Sequence, residues 1–332
     1  MEDVKECKIC INTTNNPSIK INDEGVCSIC EHYLKYFSKD ILDDELEFIK
    51  TFIKNEKYDC LVATSGGKDS SAMLYTVKEL GFIPLSFSFK IGYNPMTESV
   101  KEKIKKVTKN IGIDYEEISA EEYISDIDRE CFKEMAELYE KPSNDELNKN
   151  FKNIYNEGRK FYSTKQNVVF PFVRPCQTCR KIAIKAYYME AVKRNISVVF
   201  VGINEWASNK NNVYSAIRKL QPFENEPAVY IVHLPFLIGR RYNDLEPILN
   251  EIGWEREKDD HALDTGGSAC LLAKACEKKA NEILGFHLDS ARLSREVTVG
   301  FINKEQAREA IKYGNRESEY TVKEVLENGG II

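Results

Sequence analysis

Eight of the ten cysteines stand where thiolates could share an inorganic centre. Cys7 and Cys10 form one C-x-x-C pair and Cys27 and Cys30 a second, with 16 residues between the pairs. That is the spacing of a four-thiolate knuckle able to wrap Zn²⁺ tetrahedrally, and an ion with all four positions filled is structural. A redox pair is the other reading of the same residues. Cys176 and Cys179 form a third pair within Arg174-Pro175-Cys176-Gln177-Thr178-Cys179-Arg180. Cys270 follows Gly266-Gly267-Ser268-Ala269, and Cys276 lies six residues further on. Thiolates are the ligands that iron–sulfur clusters require, and three of them leave one iron open. For these later cysteines a second zinc site, a metal-free persulfide-carrying dithiol and a structural pair also stand. Cys60 and Cys131 read as small core residues.

Ser65-Gly66-Gly67-Lys68-Asp69-Ser70 lies between an apolar strand and the start of a helix. Glycines there let backbone N–H groups approach an anion, and the helix N-terminus adds about half a positive charge. The segment reads as a phosphate cradle, but its spacing is not that of G-x-x-x-x-G-K-[ST]. S-G-G-K-D-S after a strand resembles the signature of the PP-loop ATP pyrophosphatases, or adenine nucleotide alpha hydrolases. The resemblance implies cleavage of ATP between its α- and β-phosphates and adenylation of a carbonyl oxygen, which a nitrogen or sulfur nucleophile then displaces. It implies that Ser65, Gly66, Gly67 and Ser70 hold pyrophosphate, that Asp69 helps place Mg²⁺, and that Lys68 either offsets developing charge or faces solvent. The second strand around Phe87 would border the adenine, and Gly202-Ile203-Asn204 would close over the nucleotide. Thiolating relatives often carry a histidine and paired acids at the latter segment, and Glu205 is what this chain has instead.

The Pro-Cys-x-x-Cys-x-Arg-like element resembles one in two-thiocytidine and wobble-uridine tRNA thiolases of the same group. It implies a [4Fe–4S] cluster held by Cys176, Cys179 and a later cysteine, with Cys270 preferred to Cys276, and a sulfur donor that is sulfide or a persulfide carrier protein. Ile21-Asn22-Asp23-Glu24-Gly25-Val26-Cys27 and Leu293-Ser294-Arg295-Glu296-Val297 resemble the two ends of the N-acetyl sugar amidotransferases of surface-polysaccharide synthesis. That likeness implies ammonia from a partner glutaminase and a nucleotide-linked sugar. The internal cysteines favour sulfur, because ammonia needs no thiolate. The expected enzyme adenylates a tRNA base or small-molecule acceptor, releases AMP and pyrophosphate, and leaves sulfur in place of oxygen. A metal-stapled RNA-binding module without catalysis is the reading from another class, and the intact glycine loop argues against it.

The elements that must position these residues follow from periodicity. Strands are expected at 58–64, 84–89, 114–118, 197–201 and 230–235, and helices at 70–80, 98–111, 120–138, 179–194, 242–252 and 271–284. Strands alternating with helices imply an α/β fold with a mainly parallel sheet. Residues 141–166, polar and carrying Pro142 and Gly158, read as an irregular excursion or helical insert able to act as a lid. Three units are expected: a four-cysteine zinc-binding module at 1–38, a PP-loop domain at 39–240, and a mainly helical region at 241–332 that lends a cysteine to the site. The first, poor in apolar periodicity, needs a metal staple to fold. His32 and His261 read as solvent-facing, Arg218 and Arg240 as solvated or phosphate-contacting, and Trp206 and Tyr187 as half-buried aromatics.

The chain has 332 residues, 42% hydrophobic and 30% charged, enough to bury a core. Forty-seven basic against 53 acidic residues leave a net charge of −6, so no global positive field draws nucleic acid, although a local basic groove is compatible with it. The apolar runs fall short of the roughly 20 residues a membrane helix needs, and no signal-peptide pattern opens the chain, so a cytoplasmic address without membrane contact is expected. A homodimer is allowed for.

Overall fold

The computed structural model describes residues 3–54, 57–90, 98–164, 168–256, 265, 270–314 and 317–332. His261 and Gly266 to Ala269 lie outside them. No described helix is long and apolar enough to cross a membrane.

Two helices, α1 (Ser28–Tyr36) and α2 (Lys39–Lys50), lead from the cysteine-rich segment into β1 (Cys60–Ala63). There follow α3 (Lys68–Glu79), β2 (Pro84–Lys90), α4 (Glu98–Ile111), β3 (Asp114–Ser119), α5 (Asp126–Glu140), α6 (Asp145–Thr164) and α7 (Cys176–Lys193). Next come β4 (Val198–Val201), a small antiparallel hairpin of β5 (Ser208–Lys210) and β6 (Val213–Ser215), then β7 (Ile217–Leu220) and β8 (Val229–His233). The remainder is helical: α8 (Leu234–Leu237), α9 (Leu245–Glu251), α10 (Leu271–Leu284), α11 (Ser290–Thr298), α12 (Lys304–Gly314) and α13 (Val322–Asn328).

The main sheet has six strands in the order β3-β2-β1-β4-β8-β7, parallel except for β7, which runs antiparallel to β8. The chain steps outward from β1 through β2 to β3 and then returns to build β4 and β8 on the other flank. Strand order therefore reverses beside β1, at the kind of crevice where open α/β sheets bind ligands beyond their carboxyl ends. β1 (CLVA) and β4 (VVFV) are continuous apolar runs because both faces are covered. Side chains alternate between two cores: Leu61, Phe87 and Val199 join Phe132 and Ile182, whereas Cys60, Val62 and Phe200 join Met73 and Leu74. β3 closes one edge and exposes Asp114, Glu116 and Glu117.

Two expectations are revised: the sheet gains an antiparallel edge strand, and α7 begins at Cys176 rather than Cys179. Of the two readings of 141–166, the helical insert is the one found, as a regular helix over 145–164. α6 is anchored by Leu147 and Phe151, which are buried in the same core as Phe132, so the helix packs as part of the body.

Candidate active site and metal centre

The four N-terminal cysteines are fully buried and their sulfurs lie within 4.8 Å of one another. Cys10 Sγ is 3.6 Å from Cys27 Sγ, and Cys7 Sγ 4.0 Å from Cys30 Sγ. Ligands about 2.3 Å from a tetrahedral ion stand about 3.8 Å apart, so these separations fit a single metal ion. Amide groups already point at the sulfurs: Ile9 N and Cys27 N donate to Cys7 Sγ at 3.4 and 3.2 Å, and Asn12 Nδ2 to Cys27 Sγ at 3.6 Å. Hydrogen bonds from Cys10 and Cys30 hold Cys27 far below the ordinary thiol range, and the same sharing pushes Cys10 and Cys30 up.

The glycine loop is held from several sides. Gly66 has φ +76°, and a Cβ there would sit 2.8 Å from Val100 Cγ1, so only glycine fits. Its carbonyl accepts from Trp254 Nε1 at 2.9 Å. Ser70 Oγ accepts from Ser65 N at 3.1 Å and donates to Gly67 O at 3.1 Å, which ties the loop across the first turn of α3. Gly67 caps that helix. Lys68 Nζ pairs with Asp69 Oδ2 at 2.9 Å, leaving Asp69 Oδ1 buried without a hydrogen-bond partner among the described residues. Gly202, at the end of β4, approaches so closely that a Cβ would lie 3.3 Å from Ser70 N. Phe87 lies next to the loop through its backbone, whose carbonyl accepts from Thr64 N at 2.8 Å; its ring is fully buried against Phe89 and Tyr187. What it can offer a ligand is therefore main chain.

Sequence reasoning gave little weight to the charged shell beyond β4. Glu205 is buried and paired with Arg295 Nε and Nη2, and its carbonyl accepts from His233 Nδ1 at 2.7 Å. Burial pushes the Glu205 carboxyl up, but Arg295, Arg180 and His233 together hold it below the usual range. Burial lowers His233 to about 4, so it is neutral at pH 7. Glu296, one residue on from Arg295, is pushed up by burial and by the nearby charges of Asp69 and Glu205, against the pull of Arg292. Arg240, read as solvated or phosphate-contacting, is buried and bonded to Thr76 Oγ1. His32, expected in solvent, lies 2.7 Å from Tyr214 Oη and 3.1 Å from Asn212 Oδ1.

α7 runs back to feed parallel strand β4, so its N-terminal Cys176 and Cys179 lie toward the carboxyl ends of the strands, the end that carries the loop. They sit one turn apart and half-buried. Cys270 caps α10, and burial pushes it up to about 11, with the Ala273 and Leu272 amides pulling the other way and the charge of Cys176 adding to the rise. Cys276 is fully buried, which pushes its thiol well up with the charges of Cys176 and Cys270 adding to the rise, while the Tyr139 hydroxyl donates to Val173 O at 2.7 Å. Arg174, paired with Asp289 at 2.7 Å, stands close enough to Cys176 to feel its charge. Soft donors of this kind, partly shielded from water, are what a cluster takes, but among the described residues the group of cysteine sulfurs gathered within reach of one metal ion is the N-terminal four. Cys60 and Cys131 are buried.

No protein-family profile matches the chain. An uncharacterised protein of Methanocaldococcus jannaschii is 23% identical over 317 residues, 92% of this chain and 93% of that one. The tRNA-5-methyluridine(54) 2-sulfurtransferase of Pyrococcus horikoshii is 33% identical over 107 residues, and the enzyme of the same name from Thermotoga maritima is 24% identical over 114. This chain spans about a third of the length of both sulfurtransferases, 33% and 36%. The structure of the U34-tRNA thiolase NcsA from Methanococcus maripaludis, with its [4Fe-4S] cluster, aligns over 98% of both chains at a TM-score of 0.36 and 12% identity. Similarity to tRNA sulfurtransferases is thus confined to a segment, on an α/β body with a mainly parallel sheet and a four-cysteine site able to hold a metal.

Proposed function

We propose that the protein is a PP-loop ATP pyrophosphatase that adenylates a carbonyl oxygen and replaces it with sulfur, with a tRNA base or a small molecule as acceptor. What supports the reading is that Cys176 and Cys179 open α7, the helix that feeds β4, on the side of the sheet that carries the loop, while Cys270 opens α10. The 33% identity to a tRNA sulfurtransferase over 107 residues supports the same chemistry.

Backbone amides of Ser65 to Ser70 and the α3 N-terminus would cradle the phosphates of ATP, with Lys68 set to meet charge on the leaving pyrophosphate. The spare lone pairs of buried Asp69 Oδ1 suit a Mg²⁺ ion, and that ion supplies charge neutralisation on the phosphates. Cys176, Cys179 and Cys270 would hold a [4Fe–4S] cluster, which when bound supplies an open iron for sulfide. Cys270 suits the third position better than Cys276, because it is partly open and amide-assisted whereas Cys276 is sealed against Tyr139. Cys7, Cys10, Cys27 and Cys30 would bind structural Zn²⁺. The division at 38/39 and 240/241 fits these roles, with the C-terminal part lending Cys270 and Trp254.

Anaerobically purified protein is expected to contain iron and acid-labile sulfide, both lost in Cys176→Ala and Cys270→Ala, and to release AMP from ATP when tRNA is supplied. Iron-free protein whose turnover survives Cys176→Ala would defeat the proposal and return the site to nitrogen transfer.

A further inference from the structure

Between the four-cysteine module and the strand ends lies a cavity of about 520 Å³. His32 of α1, Arg180 of α7, Arg218 of β7 and Arg295 of α11 meet there with Trp206 and Tyr214. Three guanidiniums face one carboxylate, Glu205, so the lining is positive although the chain as a whole is not. Two of the arginines are already oriented: Arg295 Nη2 donates to Glu205 Oε1 at 3.1 Å, and Arg218 Nη2 to Ala207 O at 3.0 Å. Arg180 is exposed. Trp206 is braced by Tyr33 at 5.5 Å and Tyr214 at 4.9 Å between ring centroids, so the indole surface that lines the cavity is fixed in direction.

Anchored guanidinium forks match phosphate oxygens, and a fixed indole offers a face for a planar ring. The volume suits a nucleotide better than a bare anion. Glu205 follows β4 three residues after Gly202, which packs on Ser70, and Arg180 follows Cys179 in α7, so the cavity lies on the loop side of the sheet without including any loop residue. We propose that it is the acceptor subsite, holding a nucleobase against Trp206 and its phosphate on Arg180 and Arg218. This rests on the reading of the loop as an ATP site serving a separate acceptor. The ligand chemistry, a base beside a phosphate, has two sources: an RNA strand, or a free nucleotide or nucleotide-linked metabolite.

The chain has two tryptophans, and each reports one site: Trp254 on the loop through Gly66 and Trp206 on the cavity. In metal-replete protein whose loop is saturated by a non-hydrolysable ATP analogue, so that Trp254 emission is held constant, Trp206 fluorescence is titrated with inorganic phosphate, uridine monophosphate and a short single-stranded RNA. Saturable quenching by the RNA or the nucleotide is expected, and whichever binds tighter identifies the source. Arg180→Gln and Arg218→Gln should each raise Kd about tenfold, and the double variant should reduce the salt slope for RNA by about 0.7, the share of one phosphate contact. The change in Trp254 emission on adding the ATP analogue, recorded before each titration, shows that the arginine variants are folded. The proposal is overturned if neither ligand quenches Trp206, if phosphate alone binds as tightly, if filling the loop abolishes the response, or if both variants bind normally. Loss of ATP binding at Trp254 with Trp206 still responding would instead sink the pyrophosphatase reading and spare the subsite.

Discussion

Asp69 carries a buried oxygen with no hydrogen-bond partner among the described residues, at the foot of a loop whose other polar groups are largely engaged. Asp69→Asn keeps the shape and removes the charge, so AMP formation should fall about 10²–10³-fold with folding intact, as steady-state kinetics and circular dichroism would register. Gly66→Ala acts differently. It forces a side chain into left-handed backbone and against Val100, and should cost more than about 1 kcal/mol in urea unfolding. His233 makes stability pH-dependent. Its folded-state value, about 4, lies below the ordinary 6.5, so the unfolded chain takes up the proton first. Stability from this group is therefore full above about pH 6.5, falls as pH drops toward 4, and levels off below, with a total loss of at most about 3 kcal/mol. Urea midpoints at pH 7 and pH 4.5 should differ less in His233→Gln, which keeps a donor for the Glu205 carbonyl, than in the parent protein.

At the scale of elements, α5 is fixed at its start by a capping box: Asp128 N donates to Ser125 Oγ at 3.2 Å and Ser125 N to Asp128 Oδ2 at 3.0 Å. Ser125→Ala should cost about 1 kcal/mol by thermal or urea unfolding, without changing ATP binding. This element was legible from its apolar spacing, as were β1, α3 and the full span of α4, because local pattern and tertiary burial agree there. The hairpin β5–β6 and edge strand β7 were not legible. Their residues, SNK, VYS and IRKL, show no sustained alternation, and β7 exists because β8 offers it an unpaired ladder. In α6 the helical signal was present in Leu147, Phe151, Ile154 and Tyr155, but Pro142 and Gly158 carry the opposite, helix-breaking signal. The loop and the four-cysteine knuckle could be read because their chemistry is local in sequence. The Glu205–Arg295 pair joins residues 90 apart and only the fold reveals it.

Across the whole molecule, the cysteine module is bound into the C-terminal helices. Cys30 Sγ lies 3.2 Å from Thr298 Oγ1, Lys304 donates to Cys7 O, and Glu6 pairs with Lys304 and Arg308 at 2.7 and 2.6 Å. Stripping the Zn²⁺ proposed for this module with a strong chelator should therefore lower the melting temperature of the whole protein cooperatively and shift Trp206 emission, since α1 carries Tyr33 and His32. An early, separate transition for the first 38 residues would contradict this. The carboxylates along β3 have their own outcome for assembly. A bare ladder invites a second copy to extend the sheet, and the charged side chains along it, Glu116 paired with Arg194 and Glu117 with Lys101, would have to be stripped of water by that junction. Any self-association must then use another face, and neutralising Glu116 and Glu117 together should turn a tolerated border into a point of aggregation, visible by light scattering.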